Sequence, residues 1–293
     1  MTKTFNYALK AFVLAIIIAM FLIFSAFWYF SHDLPDYKKL SNYEPSVLSR
    51  VYSENGQLIG EYALEKRMFI PFDSIPEKVI NSFLSAEDKN FFEHPGVDAR
   101  GVTRAVIKNI RNILSDKRLE GASTITQQVA KNFLLTNEVS LKRKIKEAIL
   151  AFRIEKAYSK KRILELYLNE IYLGKGTYGV ASASLEYFNK SVKELNYEEA
   201  ALLAALPKAP SKYNPYKSID LATKRRNMVL KNLKENGYIS NKEFKTFLKK
   251  KIVLNKREIY LIKEAQSYTE EVRRIVKTDY GFEKLYSEGL SIS

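Results

Sequence analysis

Residues Ala11 to Ser31 make up an apolar run of 21 positions with no charged side chain, and nothing else in the chain restricts its fold as much. A helix of that length, at about 1.5 Å per residue, reaches roughly 30 Å, the thickness of a bilayer core. Lys3 and Lys10 precede the run, Asp33 and Asp36 follow it, and no small-residue cleavage site stands near Ser25 to Phe30. The expectation is an uncleaved single-pass anchor at 11–31, with a cytoplasmic tail at 1–10 and everything after His32 outside. A cleaved signal peptide is the alternative. The length of the run and its closing aromatics Trp28, Tyr29 and Phe30, suited to a membrane interface, weigh against it.

Beyond that run, 293 residues with 46% hydrophobic content suffice for one sizeable globular domain with appendages. The formal charge of +15 calls for an anionic partner. For a domain exported behind an anchor, anionic headgroups or a phosphate-bearing lipid substrate fit better than nucleic acid. Cysteine is absent, which excludes disulfides, thiol catalysis and thiolate metal sites, and His32 and His94 are the only histidines.

A juxtamembrane linker and hairpin are expected at 32–73. Asn55-Gly56 separates two extended runs, Leu48 to Ser53 and Leu58 to Tyr62, the pattern of a tight β-turn. Ser74-Ile75-Pro76-Glu77 reads as a capping box, and the pattern from there to about Gly237 is helical, so the domain at 74–239 is expected to be mainly α. Gly101 to Ser115 sets Val102, Val106 and Ile110 against Arg104, Lys108 and Arg111, an amphipathic basic helix that rests on a bilayer or packs its apolar side inward. Leu195 to Leu206, opened by Asn196 and Glu199, is a core helix by composition; Asp220 to Gly237 is a second basic helix; Ser240 and Glu243 cap another.

In Glu87-Asp88-Lys89-Asn90-Phe91-Phe92-Glu93-His94-Pro95-Gly96 an acid projects from an apolar stripe, since Ile80, Phe83 and Leu84 share its helical face. Burial raises the pKa of such a carboxyl toward the working pH, which suits a general base. The alternative is a buried Glu held by a nearby cation. Gly121 to Asn132 enters a helix through Ser123 and Thr124 and carries Gln127, Gln128 and Lys131 along the first turns, a donor set for an anion or an ordinary solvated cap. Arg143-Lys144-Ile145-Lys146-Glu147 surrounds a second acid with cations, which holds it ionised. One acid in an apolar setting and one in a cationic setting divide into different roles; a surface ion-pair cluster is the plain reading. Ile163 to Gly174 reads as a buried, glycine-terminated helix supporting the site.

These segments, with Arg225-Arg226-Asn227-Met228-Val229-Leu230, stand in the order of the five motifs of the peptidoglycan glycosyltransferase domain of class A (1A-type) penicillin-binding proteins, which the chain resembles from the anchor to its last residue. The resemblance implies a two-lobed, lysozyme-like α domain on the outer face of a bacterial cytoplasmic membrane that polymerises lipid II into glycan strands. Carried over, Glu87 is the base for the acceptor's 4-hydroxyl, with Asp88 beside it, and Glu147 acts at the donor side. Asp88, Ser123 and Thr124 bind substrate, and Gln127, Gln128, Lys131, Arg143, Lys144 and Lys146 bind it and hold the departing diphosphate. No cofactor is obligatory; Mg²⁺ or another divalent cation assists some members. Expected partners are lipid II, the lipid-linked strand, the membrane and a transpeptidase or other cell-wall synthesis proteins, with no nucleic acid.

Two departures stand out. Val139 occupies a position where many relatives have a phosphate-binding arginine. Residues 240–293 resemble a helical connector toward a transpeptidase domain, and no Ser-x-x-Lys motif occurs. A truncated or split enzyme is expected. The alternatives are a catalytically impaired, membrane-anchored scaffold and a lytic enzyme, which would need a single acid and no cation cluster.

Overall fold

Apolar residues at helical spacing dictate most of the architecture in this computed structural model, which describes residues 2–41, 43, 49–62, 66–114, 121–136, 138, 140–255, 266–286 and 289–293. Helix α1 spans Thr2–Ser31 without interruption. Among the described residues no helix is long and apolar enough to cross a membrane. Several side chains of the 11–31 run fall outside the described set, so the anchor expected there rests on sequence alone.

The chain then turns through a short 3₁₀ segment at Tyr37–Leu40 and pairs β1 (Ser49–Tyr52) with β2 (Leu58–Tyr62) as the expected antiparallel hairpin, with Gly56 at φ +77° in its turn. Strand β3 (Lys66–Arg67) leads to α2 (Glu77–Glu87). The expected capping box does not form: Ser74 closes a 3₁₀ turn, and Pro76 is the N-cap with no side-chain bond. The N–H groups of Val79 and Ile80 both reach the Pro76 carbonyl, so backbone geometry alone starts the helix.

Next come α3 (Ala99–Leu114), α4 (Ile125–Leu134), α5 (Leu141–Ala157) and α6 (Lys160–Glu170). Val102, Val106, Ile107 and Ile110 of α3 are 39–56% exposed, so its apolar side does not pack inward. Helix α6 stops at Glu170, earlier than expected, because Ile171 is already extended; Gly174 ends the short strand that follows. Strands β4 (Tyr172–Gly174) and β5 (Thr177–Tyr178) then form a sheet in the order β3-β5-β4, which interrupts the helical pattern read through to Gly237. Asn169 knits this sheet's approach to α6: its Oδ1 accepts from Ile70 N–H at 2.8 Å and its Nδ2 donates to the Ile70 carbonyl at 2.9 Å.

Helices α7 (Val180–Phe188), α8 (Tyr197–Ala205), α9 (Ile219–Glu235) and α10 (Asn241–Lys249) follow. The capping boxes expected at Asn196/Glu199 and Ser240/Glu243 are both made. Alanine and leucine from Ala200 to Leu206 are buried on all sides, so α8 runs through the core, flanked by Val79, Phe83 and Leu84 of α2 and by Val229, Leu230 and Leu233 of α9. Each large apolar side chain so buried contributes about 1.5–3 kcal/mol. The segment read as a helical connector holds α11 (Gln266–Tyr280) and α12 (Phe282–Tyr286), and also a strand, β6 (Ser291–Ile292), which pairs parallel with β1. A pairing across that much chain leaves no local signal. Val139 lies outside the described residues.

Candidate functional site

Glu87 is the last residue of α2, and Asp88 leaves helical geometry at φ −157°, ψ 78°. The buried Asp88 carboxylate accepts from His94 Nε2, 3.0 Å from each oxygen, and from the N–H of Ile125 at 3.0 Å. His94 Nδ1 accepts from Gly96 N–H at 3.2 Å, which leaves Nε2 as the protonated nitrogen. Gly96, at φ +102°, lies so close to α5 that a Cβ there would sit 2.8 Å from the Ala151 carbonyl. Its own carbonyl accepts from Thr124 Oγ1 at 2.5 Å. The loop after Glu87 is thereby stitched to the start of α4.

That start is a capping box in which Thr124 Oγ1 accepts from Gln127 N–H and Gln127 Oε1 accepts from Thr124 N–H at 3.0 Å. Three residues read from sequence as substrate ligands, Asp88, Thr124 and Gln127, thus have polar groups committed to the scaffold. Gln128, about 100° further round the helix, faces the other way: its Nε2 donates to Glu87 Oε2 at 2.9 Å. Burial raises the Glu87 pKa; the Gln128 bond and the charges of Arg225 and Lys208 oppose that, and Asp88 adds to it.

The second acid, Glu147, is 1% exposed. Lys144 Nζ donates to its Oε2 at 2.5 Å, and Arg143 Nε lies 3.2 Å from Oε1 in an ion contact rather than an aligned hydrogen bond. Lys144 also donates to Ser123 Oγ at 2.9 Å, tying α5 to the approach of α4. Burial lowers the Lys131 pKa; Glu147 and Glu87 pull it up, while Arg143 and Lys144 push it down. Lys131 therefore feels the charge of both acids. Lys146 does not join this group. It sits on another face of α5 and pairs with Asp33 at 2.6 Å.

Sequence reading did not single out Arg225 and Lys208 as charges acting on Glu87. Nor did it place α3 beside the site. A cavity of about 160 Å³ opens next to Glu87, lined also by Lys89, Asp98, Arg104, Lys108 and Ser123. The basic face of α3 and the paired arginines of α9 were the available signals. Among the described residues no group of three or more His, Asp or Glu is placed to hold a metal ion.

This arrangement can take a proton at Glu87 and hold a polyanion over Lys131, Arg143 and Lys144. Its residues fall within 55–234, the span that matches the family model described as Transglycosylase. Penicillin-binding protein 1A of Rickettsia prowazekii (strain Madrid E) is 47% identical over 293 residues, all of this chain and 37% of that protein. Penicillin-binding protein 1A of Aquifex aeolicus (strain VF5) is 46% identical over 272 residues, 92% of this chain and 36% of its own length. The chain thus spans about a third of the length of the curated relatives it matches. The crystal structure of penicillin-binding protein 1A from Haemophilus influenzae superposes with a TM-score of 0.51 at 27% identity, covering 85% of this chain and 27% of that one. With the model matching from the β1–β2 turn to the end of α9, the chain belongs to the transglycosylase family.

Proposed function

We propose that the chain is a peptidoglycan glycosyltransferase that polymerises lipid II processively, with inversion at the anomeric carbon and release of undecaprenyl diphosphate. The observation that carries this reading is two carboxylates in opposite environments whose charges both act on Lys131: Glu87, half-buried and bonded to Gln128, and Glu147, buried among Arg143 and Lys144. The acceptor's 4-hydroxyl oxygen attacks the donor's anomeric carbon and its proton passes to Glu87. The bond from that carbon to the phosphate oxygen breaks and its electron pair leaves with the diphosphate. Lys131, Arg143 and Lys144 stand where that negative charge grows, so they stabilise the transition state more than the ground state. Gln128 orients the base, and Ser123 holds Lys144. Asp88, Thr124 and Gln127 keep the site's frame. Mg²⁺ accompanying the diphosphate would add to the same positive field.

We assign α1 as the anchor at 11–31 on the strength of its uncharged run, with its N-terminus in the cytoplasm and residues 74–239 as the catalytic domain outside the bacterial cytoplasmic membrane. Residues 32–73 lie between, and 240–293 lead toward partners in cell-wall synthesis. The test is incubation of the purified chain with labelled lipid II and Mg²⁺ in detergent, with products resolved by size and the new linkage examined by NMR. The reading requires long strands with inverted anomeric configuration. A well-folded chain that only shortens existing glycan would replace it with the lytic reading.

A further inference from the structure

Helix α2 ends at the residue read as the base, and the last turn of any helix leaves carbonyls without intrahelical partners. Asp88 N–H still reaches the Leu84 carbonyl at 2.9 Å, but the extended Asp88 then carries the chain away, so the next carbonyl, on Ser85, loses its helical partner. Ser85 is 6% exposed, which leaves water little access. The missing donor comes from α9: Asn232 Nδ2 donates to the Ser85 carbonyl at 2.9 Å, and Asn236 Nδ2, one turn on, donates to Ser85 Oγ at 3.0 Å. Seven residues before Asn232, and so on the same face of α9, stands Arg225. Helix α9 is itself firmly held. Val229, Leu230 and Leu233 lie in the core, and the buried Arg226 donates from Nη1 to the Lys250 carbonyl at 2.7 Å.

We propose that Asn232, assisted by Asn236, is a positioning residue for the reaction: its amide replaces the missing helical hydrogen bond on Ser85 and fixes the turn from which Glu87 reaches Gln128. The inference rests on Glu87 being the base. Ser85 and Glu87 share one turn, so any unwinding at Ser85 swings the carboxylate away from Gln128 Nε2 and opens it to water. Asn232 touches no reacting group. Its effect runs entirely through the backbone of α2.

The test compares five variants of the full chain with wild type on lipid II in detergent. Asn232→Leu keeps the volume and removes the donor. It should lower kcat about tenfold at unchanged KM, the size of effect expected from one unpaired buried carbonyl in a positioning turn. It should also move the acidic limb of the kcat profile to lower pH, because water reaching Glu87 relieves the desolvation that raises its pKa. Asn232→Gln, which keeps an amide donor, should retain more of kcat. Leu233→Ala loses packing from the same helix without touching Ser85, so it should lose stability but keep kcat and the limb. An Asn232→Leu enzyme with wild-type kcat and limb, or with losses no larger than those of Leu233→Ala at equal fraction folded, overturns the proposal. Should Asn232→Leu fail to fold, Asn236→Ala must show a smaller shift of the limb in the same direction, and an unmoved limb overturns the proposal. Glu87→Gln run beside them separates the two readings: turnover by that variant defeats the base assignment, and the clamp with it, whereas a dead Glu87→Gln with an unaffected Asn232→Leu defeats the clamp alone.

Discussion

Replacing Glu147 with Gln keeps its shape and removes the one negative charge at the centre of the Lys131, Arg143 and Lys144 cluster. Unit charges 4 Å apart at an effective dielectric near 20 attract by about 4 kcal/mol, and deleting one partner of a buried pair typically costs about 3–5 kcal/mol. Two features reduce that cost here. The Lys144 side chain is 45% exposed and can turn into water, and a Gln carbonyl still accepts one hydrogen bond. Arg143, at 15%, cannot escape as easily. The expected loss is therefore about 2–3 kcal/mol, or roughly 3–5 °C in Tm for a chain of this size. An anion that fills the site supplies the missing charge, so inorganic diphosphate should raise the Tm of Glu147→Gln more than that of wild type. Thermal denaturation at low ionic strength, with and without diphosphate, measures both effects. A variant melting within about 1 °C of wild type would show that the cations are not strained by losing the acid. An equal response to diphosphate would remove the polyanion site from this cluster.

Gly96→Ala must place a Cβ 2.8 Å from the Ala151 backbone at φ +102°, so a loss of about 2–4 kcal/mol in urea unfolding is expected; a change under about 0.5 kcal/mol would refute the close packing of this loop on α5. Lys131→Ala should raise KM for lipid II and lower kcat together, because its charge is coupled to both acids; a change confined to stability would remove it from the site. Burial raises the Glu87 pKa, so the folded state binds more protons than the unfolded one above the ordinary carboxylate pKa of about 4.3, and stability falls as pH rises through that window. Glu87→Gln should therefore be more stable than wild type at neutral pH, with the gain fading in acid. A Tm difference that does not vary with pH would contradict the burial argument.

The two acids were legible because each carries its environment in its own sequence neighbourhood. Phe83 and Leu84 precede Glu87 at helical spacing, and Arg143 and Lys144 precede Glu147 by one turn. Which neighbour faces the site was not legible. Gln127 and Gln128 are identical in chemistry and adjacent in sequence, and a rotation of about 100° sends one into the Thr124 capping box and the other to Glu87. Lys144 and Lys146 divide in the same way between Glu147 and Asp33. The fold shows the same contrast. The capping boxes of α8 and α10 and the Asn55-Gly56 hairpin are local and were readable. Strands of two residues, such as β3 and β5, are too short for alternation to register, and the return of β6 to β1 is fixed only by tertiary packing. At Ser74 a genuine local signal lost to competition, because the proline two residues on already starts the helix.

The central claim is that Glu87 removes the proton from an acceptor sugar hydroxyl. The most direct measurement is lipid II binding and polymer formation by Glu87→Gln beside wild type, under the same detergent and Mg²⁺. The account predicts near-equal binding, because Gln preserves the volume and can still accept from Gln128, together with loss of polymer. Glycan strands formed by the variant at a wild-type rate would contradict it.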